Sequence, residues 1–147
     1  MRAILLGITF IFTVGFMDQV SAQSAVCIFQ DLKTGKGDYM FRYGMDNETA
    51  AKETAFKQIV ELGYDSTLVS YLTSTEKKGY GLIIRSYYRA ANGINVTVYG
   101  AALGQDSYEA AEDKAIENLK LNNPKWNEEL YDYNIIQYFF DEPEQEN

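Results

Sequence analysis

Two helix patterns with the same apolar positions constrain the fold of this chain more than any other feature. Small and apolar residues recur at spacings of three and four, which is the spacing of one helix face. The first set recurs 60 positions further along (51 and 111, 55 and 115): Ala51, Ala55, Phe56 and Ile59, then Ala111, Ala115, Ile116 and Leu119. The pattern predicts one helix over 48–62 and a second that starts with the capping-box arrangement Asp106-Ser107-Tyr108-Glu109 and ends before Pro124, which cannot continue a helix.

Each helix pattern is preceded by two β-rich runs and followed by one. Glycine-containing turns separate the runs, including a hairpin signal at Asn92-Gly93. The predicted strands are 25–32, 39–43 and 66–74 around the first helix, and 80–89, 94–101 and 130–140 around the second. The order β-β-α-β therefore occurs twice, and we interpret 25–74 and 80–140 as repeats.

The strands fit this repeat less well than the helices do. Tyr43-Gly44 matches Tyr99-Gly100 at an offset of 56 (43 and 99), which would give the second copy a longer loop before its helix. On that alignment the apolar faces at Phe41 and at Val98 have opposite parity. A bulge or a shared tyrosine face would be needed to reconcile the two copies.

Packing of two alanine-rich helices predicts the fold class. We expect an α+β domain of two layers, with a mostly antiparallel sheet of about six strands and both helices on one face. The globular domain spans 23–140, and the acidic segment 141–147 is predicted to be a disordered tail.

The first 22 residues have the layout of a secretory signal peptide. Met1-Arg2 is followed by an apolar run to Met17 and by the small residues Val20-Ser21-Ala22 at a cleavage site. The run is shorter than a membrane span, which needs about 20 apolar residues. We expect export to the bacterial periplasm or exterior, with no membrane insertion after cleavage.

Cys27 is the only cysteine, so an intrachain disulfide is impossible. On a strand between Val26 and Ile28 it is expected to be a buried, inert thiol. Pairing with a second chain is the alternative.

Composition excludes several classes of function. The net charge is −8, which disfavours nucleic acids and anionic lipids as partners. The chain has no histidine, which removes Ser-His-Asp triads and the HExxH zinc motif. We expect no metal and no cofactor. Chemistry that uses carboxylates alone remains open, and Asp132, between two tyrosines, is its best-placed acid.

Twelve tyrosines set this composition apart. Tyrosine and arginine are enriched at binding hot spots, although tyrosine also suits half-buried strands. If Val96 and Val98 face the helices, the other sheet face carries a cluster of such residues. The predicted binding residues are Arg85, Tyr87, Arg89 and Tyr99. A protein, a glycan or a second copy of the chain could bind there.

These observations favour an exported, non-enzymatic binding module that engages a protein partner, such as a basic enzyme that it inhibits. One alternative is a carboxylate-dependent hydrolase of glycan or cell-wall material that uses Asp132 and a second acid. Another is a self-associating structural protein of the envelope or matrix.

Overall fold

A computed structural model describes residues 23–141 of the chain. The predicted signal peptide and residues 142–147 of the predicted tail lie outside this range. The elements are β1 Gln23–Gln30, β2 Gly37–Met45, α1 Glu48–Glu61, β3 Val69–Thr75, β4 Gly79–Arg89, β5 Asn95–Gln105, α2 Tyr108–Asn122 and β6 Tyr133–Asp141, with a one-turn 3₁₀ helix at Ser66–Leu68.

The first β-β-α-β unit forms a three-stranded antiparallel sheet, sheet A, with the order β2-β1-β3. Helix α1 begins where the Asn47 side chain accepts a hydrogen bond from the amide of Ala50. Its buried stripe packs against one face of sheet A, where Ala55 and Ile59 contact Cys27 and Phe29.

The second unit forms sheet B, with the order β5-β4-β6, also antiparallel. Ser107 caps α2 by accepting a hydrogen bond from the amide of Ala110. Helix α2 lies close to β5 because Gly100 has no side chain, and a Cβ there would lie 2.2 Å from the carbonyl oxygen of Ala115.

The two sheets bury their remaining faces against each other. All six strands contribute to this sheet–sheet core, which contains Val26, Ile28, Ile83, Tyr99, Ala101 and Leu103, with Tyr39, Phe41, Leu72, Ile136 and Phe139 at its margin. The layers therefore run α1, sheet A, sheet B, α2. Strand β1 is buried on both faces, which explains why its sequence is a continuous apolar run rather than an alternating one.

The α+β class, the six antiparallel strands, the two helices and the doubled β-β-α-β order are confirmed. The strands divide between two three-stranded sheets, where the sequence pattern favoured a single sheet of about six with both helices on one face. The reason is that β1 and β4 each present apolar side chains on both faces, so each sheet needs a second cover besides its own helix.

The structural repeat is closer than the sequence suggested. Gly44 and Gly104, which are 60 positions apart, both have positive φ angles, of 67° and 64°. They lie at a register shift that occurs at the same place in β2 and β5. A second shift leaves Leu72 unpaired in β3 and Ile136 unpaired in β6.

The alignment of Tyr43-Gly44 with Tyr99-Gly100 is therefore wrong. Strand β2 and helix α1 correspond to β5 and α2 at the same offset of 60, so Tyr39 corresponds to Tyr99 and no longer loop is needed. Both tyrosines face the sheet–sheet core, which removes the conflict of parity.

Two further findings concern the described part of the chain. No helix within residues 23–141 is long and apolar enough to cross a membrane. Cys27 is a free, fully buried thiol, as expected, and burial raises its pKa to about 12.

Candidate functional site: the open face of sheet B

Sheet A covers only part of the facing surface of sheet B. On β4, Ile83 is buried under sheet A, whereas Arg85, Tyr87 and Arg89 point to the same side and are exposed. The pairing of β4 with β5 is regular from Leu82 to Arg89, so this alternation continues to the end of the strand. The uncovered end of β4 is the floor of a candidate binding surface.

Neighbouring strands extend this floor on both sides. Arg85 pairs with Tyr99 on β5 and with Asn134 on β6, and Tyr87 pairs with Thr97. Together with Gly37 and Asp132, these residues line an open cleft of about 370 Å³. We call the surface formed by Arg85, Tyr87, Arg89, Thr97, Asp132 and Asn134 the open face.

Tyr99 forms the covered border of the open face. Its side chain is 3% exposed, and its hydroxyl donates a hydrogen bond of 3.1 Å to the carbonyl oxygen of Gly37. Burial raises the pKa of Tyr99 to about 12, with a further contribution from Asp38 and a partial offset from Arg85. The hydroxyl therefore stays neutral and holds the start of β2 against β5.

A chain of buried hydrogen bonds positions Asp132 at the other side of the cleft. The indole Nε1 of Trp126, which is 4% exposed, donates to Ser86 Oγ over 2.7 Å. Ser86 Oγ in turn donates to the backbone carbonyl of Asp132 over 2.6 Å. These bonds fix the connection between α2 and β6, and they place the Asp132 backbone next to β4.

The charged groups of the open face are unpaired within the part of the chain that the structure describes. No hydrogen bond or ion pair from residues 23–141 engages the guanidinium groups of Arg85 and Arg89 or the carboxylate of Asp132. By comparison, three exposed lysines, Lys77, Lys114 and Lys120, each form an ion pair with a nearby acid. The open face thus presents two cations and one anion that are free to bind other groups.

Tyr87 lies between the two arginines along β4 and is 51% exposed. Its ring contacts that of Tyr131 edge-on, with centroids 5.9 Å apart. The backbone amide of Arg89 also donates a hydrogen bond of 3.2 Å to the hydroxyl of Tyr131. These contacts restrict the Tyr87 ring and leave about half of its surface available.

The structure thus places all four predicted binding residues on one side of sheet B. Three of them, Arg85, Tyr87 and Arg89, are accessible, whereas Tyr99 is covered by sheet A and contributes to the border of the cleft. Sequence reasoning did not associate Asp132 and Asn134 with these residues. The antiparallel pairing of β4 with β6 brings them together, and nothing in the sequence fixes that register.

A second cleft, of about 530 Å³, lies between the edge strands β2 and β6. It is lined by aromatic residues that the sequence analysis did not select, including Phe41, Tyr43, Tyr138, Phe139 and Phe140. The only charged residue among those lining this cleft is Arg42, whose Nη1 already donates to the carbonyl of Phe41 over 2.8 Å. The cleft therefore offers apolar area with few directional groups.

Neither metal-binding groups nor similarity to known proteins identifies a ligand for the open face. Between residues 23 and 141, no group of three or more cysteine, aspartate or glutamate side chains is arranged to hold a metal ion. Comparisons of the chain with protein-family models, curated proteins and solved structures gave no match.

Proposed function

We propose that the chain is an exported binding module that engages a protein partner through the open face of sheet B. The observation that carries this proposal is the pair of unpaired guanidinium groups, Arg85 and Arg89, on either side of the exposed ring of Tyr87. Arginine and tyrosine are the residue types that contribute most often to binding hot spots.

Comparison of the two β-β-α-β units supports the same surface. In the first unit, Ile28 corresponds to Arg85 and Gln30 to Tyr87, at an offset of 57 (28 and 85, 30 and 87). The side chains of Ile28 and Gln30 both make contacts within the protein. Ile28 is 4% exposed, and Gln30 Nε2 donates to Thr97 O and to Asn123 Oδ1. The second unit therefore departs from the first where its side chains become free to bind a partner.

The hairpins of the two units explain this difference. The turn between β1 and β2 folds against β5, where the carbonyl oxygen of Gly35 accepts a hydrogen bond of 2.9 Å from the amide of Thr97. Strands β4 and β5 have 11 residues each, against 8 and 9 for β1 and β2. The longer hairpin extends past sheet A and leaves its end uncovered.

The overall charge supports a partner that is basic as a whole. A net charge of −8 speeds the approach of a basic protein and slows that of an acidic one. The binding module could therefore act as an inhibitor of a basic exported enzyme. Affinity would then come from the open face, and the net charge would mainly affect the rate of association.

Affinity capture tests this proposal. Residues 23–147 would serve as bait against envelope and secreted extracts, beside a Tyr87→Ala bait and a Tyr71→Ala bait. Tyr71 is a suitable control because it is exposed to a similar extent, 47%, and lies on β3 in sheet A. We expect a partner that the wild-type and Tyr71→Ala baits retain and that the Tyr87→Ala bait loses. Retention by all three baits would contradict the proposal.

Hydrolysis of a glycan is the second candidate function, because Asp132 lines the same cleft as Arg85 and Tyr87. Glycoside hydrolysis needs two carboxyl groups about 5 to 9.5 Å apart. The residues that line this cleft contribute one carboxylate, so binding has the stronger support. A bell-shaped pH–rate profile that is lost in Asp132→Asn would favour the hydrolase instead.

A further inference from the structure

The spacing of charges on the open face specifies the kind of segment that fits it. Arg85 and Arg89 are four residues apart on one strand and share a face, which places them about 13 Å apart at roughly 3.3 Å per residue. Ser86 pairs with Tyr133, so the preceding residue, Asp132, lies beside Tyr87 and midway between the two arginines. In the direction of β4, the open face therefore presents a cation (Arg85), an anion (Asp132) and a second cation (Arg89), in that order.

An extended chain laid over this face would present side chains with the same spacing. Residues i, i+2 and i+4 of a strand point to one side and also span about 13 Å. In aligned sheet packing the strands of the two layers lie within about 30° of each other, and a partner strand in this arrangement would follow β4 across its face. Sheet A already covers the other half of this face, and a partner strand would continue that layer.

We propose that the occupant of the open face is an extended segment of a partner protein with the pattern acidic–x–basic–x–acidic. This inference rests on the proposed binding function and specifies its partner. The two acidic side chains pair with Arg85 and Arg89, each of which can hold a carboxylate through two parallel N–H donors. The basic side chain lies over the ring of Tyr87, in a cation–π contact, and pairs with Asp132.

The net charge of the protein makes this inference discriminating. A peptide of this pattern carries a charge of −1, and the inverted pattern, basic–x–acidic–x–basic, carries +1. The protein, at −8, attracts the inverted peptide at long range. A preference for the acidic–x–basic–x–acidic peptide must therefore come from the local arrangement on the open face. At physiological salt this preference should become clearer, because screening beyond about 8 Å weakens the long-range attraction between the protein and the inverted peptide.

Peptide titration followed by NMR tests the inference. The probes are acetyl-Gly-Glu-Ala-Arg-Ala-Glu-Gly-amide, the inverted acetyl-Gly-Arg-Ala-Glu-Ala-Arg-Gly-amide, and a neutral peptide with Gln at the three charged positions. Each is added to ¹⁵N-labelled protein, residues 23–147, at 150 mM salt. We expect the first peptide to bind at least tenfold more tightly than the other two. The amide shifts should be confined to 85–89, 95–99 and 132–134.

A charge-swapped protein provides the reciprocal test. In the triple variant Arg85→Glu, Asp132→Lys, Arg89→Glu the preference should reverse in favour of the inverted peptide. The control is a second triple variant, Lys57→Glu, Glu61→Lys, Lys114→Glu. Like the first, it replaces two cations with anions and one anion with a cation, so the two variants have the same net charge. The changes in the control lie on the exposed faces of α1 and α2, and it should keep the wild-type preference.

The possible outcomes separate this inference from the proposed function. Equal affinity for the first and inverted peptides, with shifts at 85–89, would overturn the pattern and leave the open face as a binding surface. No shift at 85–89 with 5 mM of any peptide would also overturn the inference. The proposed function has a separate test, because it fails if partner capture is independent of Tyr87, whatever the peptides do.

Discussion

Tyr39 and Tyr99 occupy equivalent positions in the two β-β-α-β units, and their rings meet between the two sheets with centroids 5.6 Å apart. Gly37 and Thr97 are equivalent in the same way, and the backbone of Gly37 packs against Thr97. Contacts between equivalent residues are the mark of a two-fold axis. The two units thus contact each other through equivalent residues of β2 and β5, as the halves of a two-fold symmetric dimer do.

This relationship predicts what the Tyr99 side chain contributes to stability. Tyr99→Phe removes the hydrogen bond to Gly37 and should cost about 1 kcal/mol. Tyr99→Ala also removes a ring from the sheet–sheet core and should cost about 3–5 kcal/mol. Urea unfolding measures both. A Tyr99→Ala variant as stable as the wild type would contradict the face-to-face packing of the sheets.

The hydrogen bonds from Trp126 through Ser86 to Asp132 predict a link between the core and the open face. Ser86→Ala leaves the buried indole N–H and the Asp132 carbonyl without this partner and should cost about 1–3 kcal/mol. It should also raise hydrogen exchange at residues 131–134, because the connection to β6 loses its attachment to β4. Unchanged exchange there would show that these bonds do not position Asp132.

Close approach of α2 to β5 makes Gly100 a sensitive position. In Gly100→Ala the new methyl group would lie 2.2 Å from the Ala115 carbonyl oxygen and 2.8 Å from Leu119 Cβ. The helix has to move, because the nearest atom belongs to its backbone, and overpacking costs about 1–3 kcal/mol and occasionally more. An unchanged urea midpoint for Gly100→Ala would mean that α2 does not lie against β5 as described.

Alkaline pH should destabilise the protein through two buried acids. Burial is the main cause that raises the pKa of Cys27 from 9.0 to about 12 and that of Tyr99 from 10.0 to about 12. Between these values the unfolded chain loses protons that the folded protein keeps. Stability should therefore hold below about pH 9 and decline as the pH rises towards 12.

Urea unfolding between pH 8 and 11 checks this dependence. The double variant Cys27→Ala, Tyr99→Phe should lose stability less steeply than the wild type over this range, because it lacks both groups. Parallel declines would show that neither group accounts for the effect.

How far the sequence predicts this structure depends on the kind of interaction involved. Local signals were sufficient for the helices, since Asn47 and Ser107 cap them and the alanine stripes mark their buried faces. The division into two sheets was not predicted, because hydrophobic periodicity shows which faces are buried but not what buries them. The apolar run at Val26–Ile28 was the available signal that β1 is covered on both faces.

The same limit applies to the candidate site. Alternation along β4 was enough to group Arg85, Tyr87 and Arg89, because a strand has a period of two. It could not show that sheet A covers Tyr99, nor that β6 brings Asp132 beside Tyr87. Both facts depend on long-range packing and on the register between strands that are distant in the sequence.

The most direct test of the central claim compares partner affinity and stability in the same variants. Arg85→Ala, Tyr87→Ala and Arg89→Ala lie on exposed positions, so each should change the free energy of unfolding by no more than about 0.5 kcal/mol. For the captured partner, calorimetry should show that Tyr87→Ala weakens binding by about 2 kcal/mol or more, while Tyr71→Ala has no effect. Affinity unchanged by all three open-face variants, at unchanged stability, would show that the partner binds elsewhere.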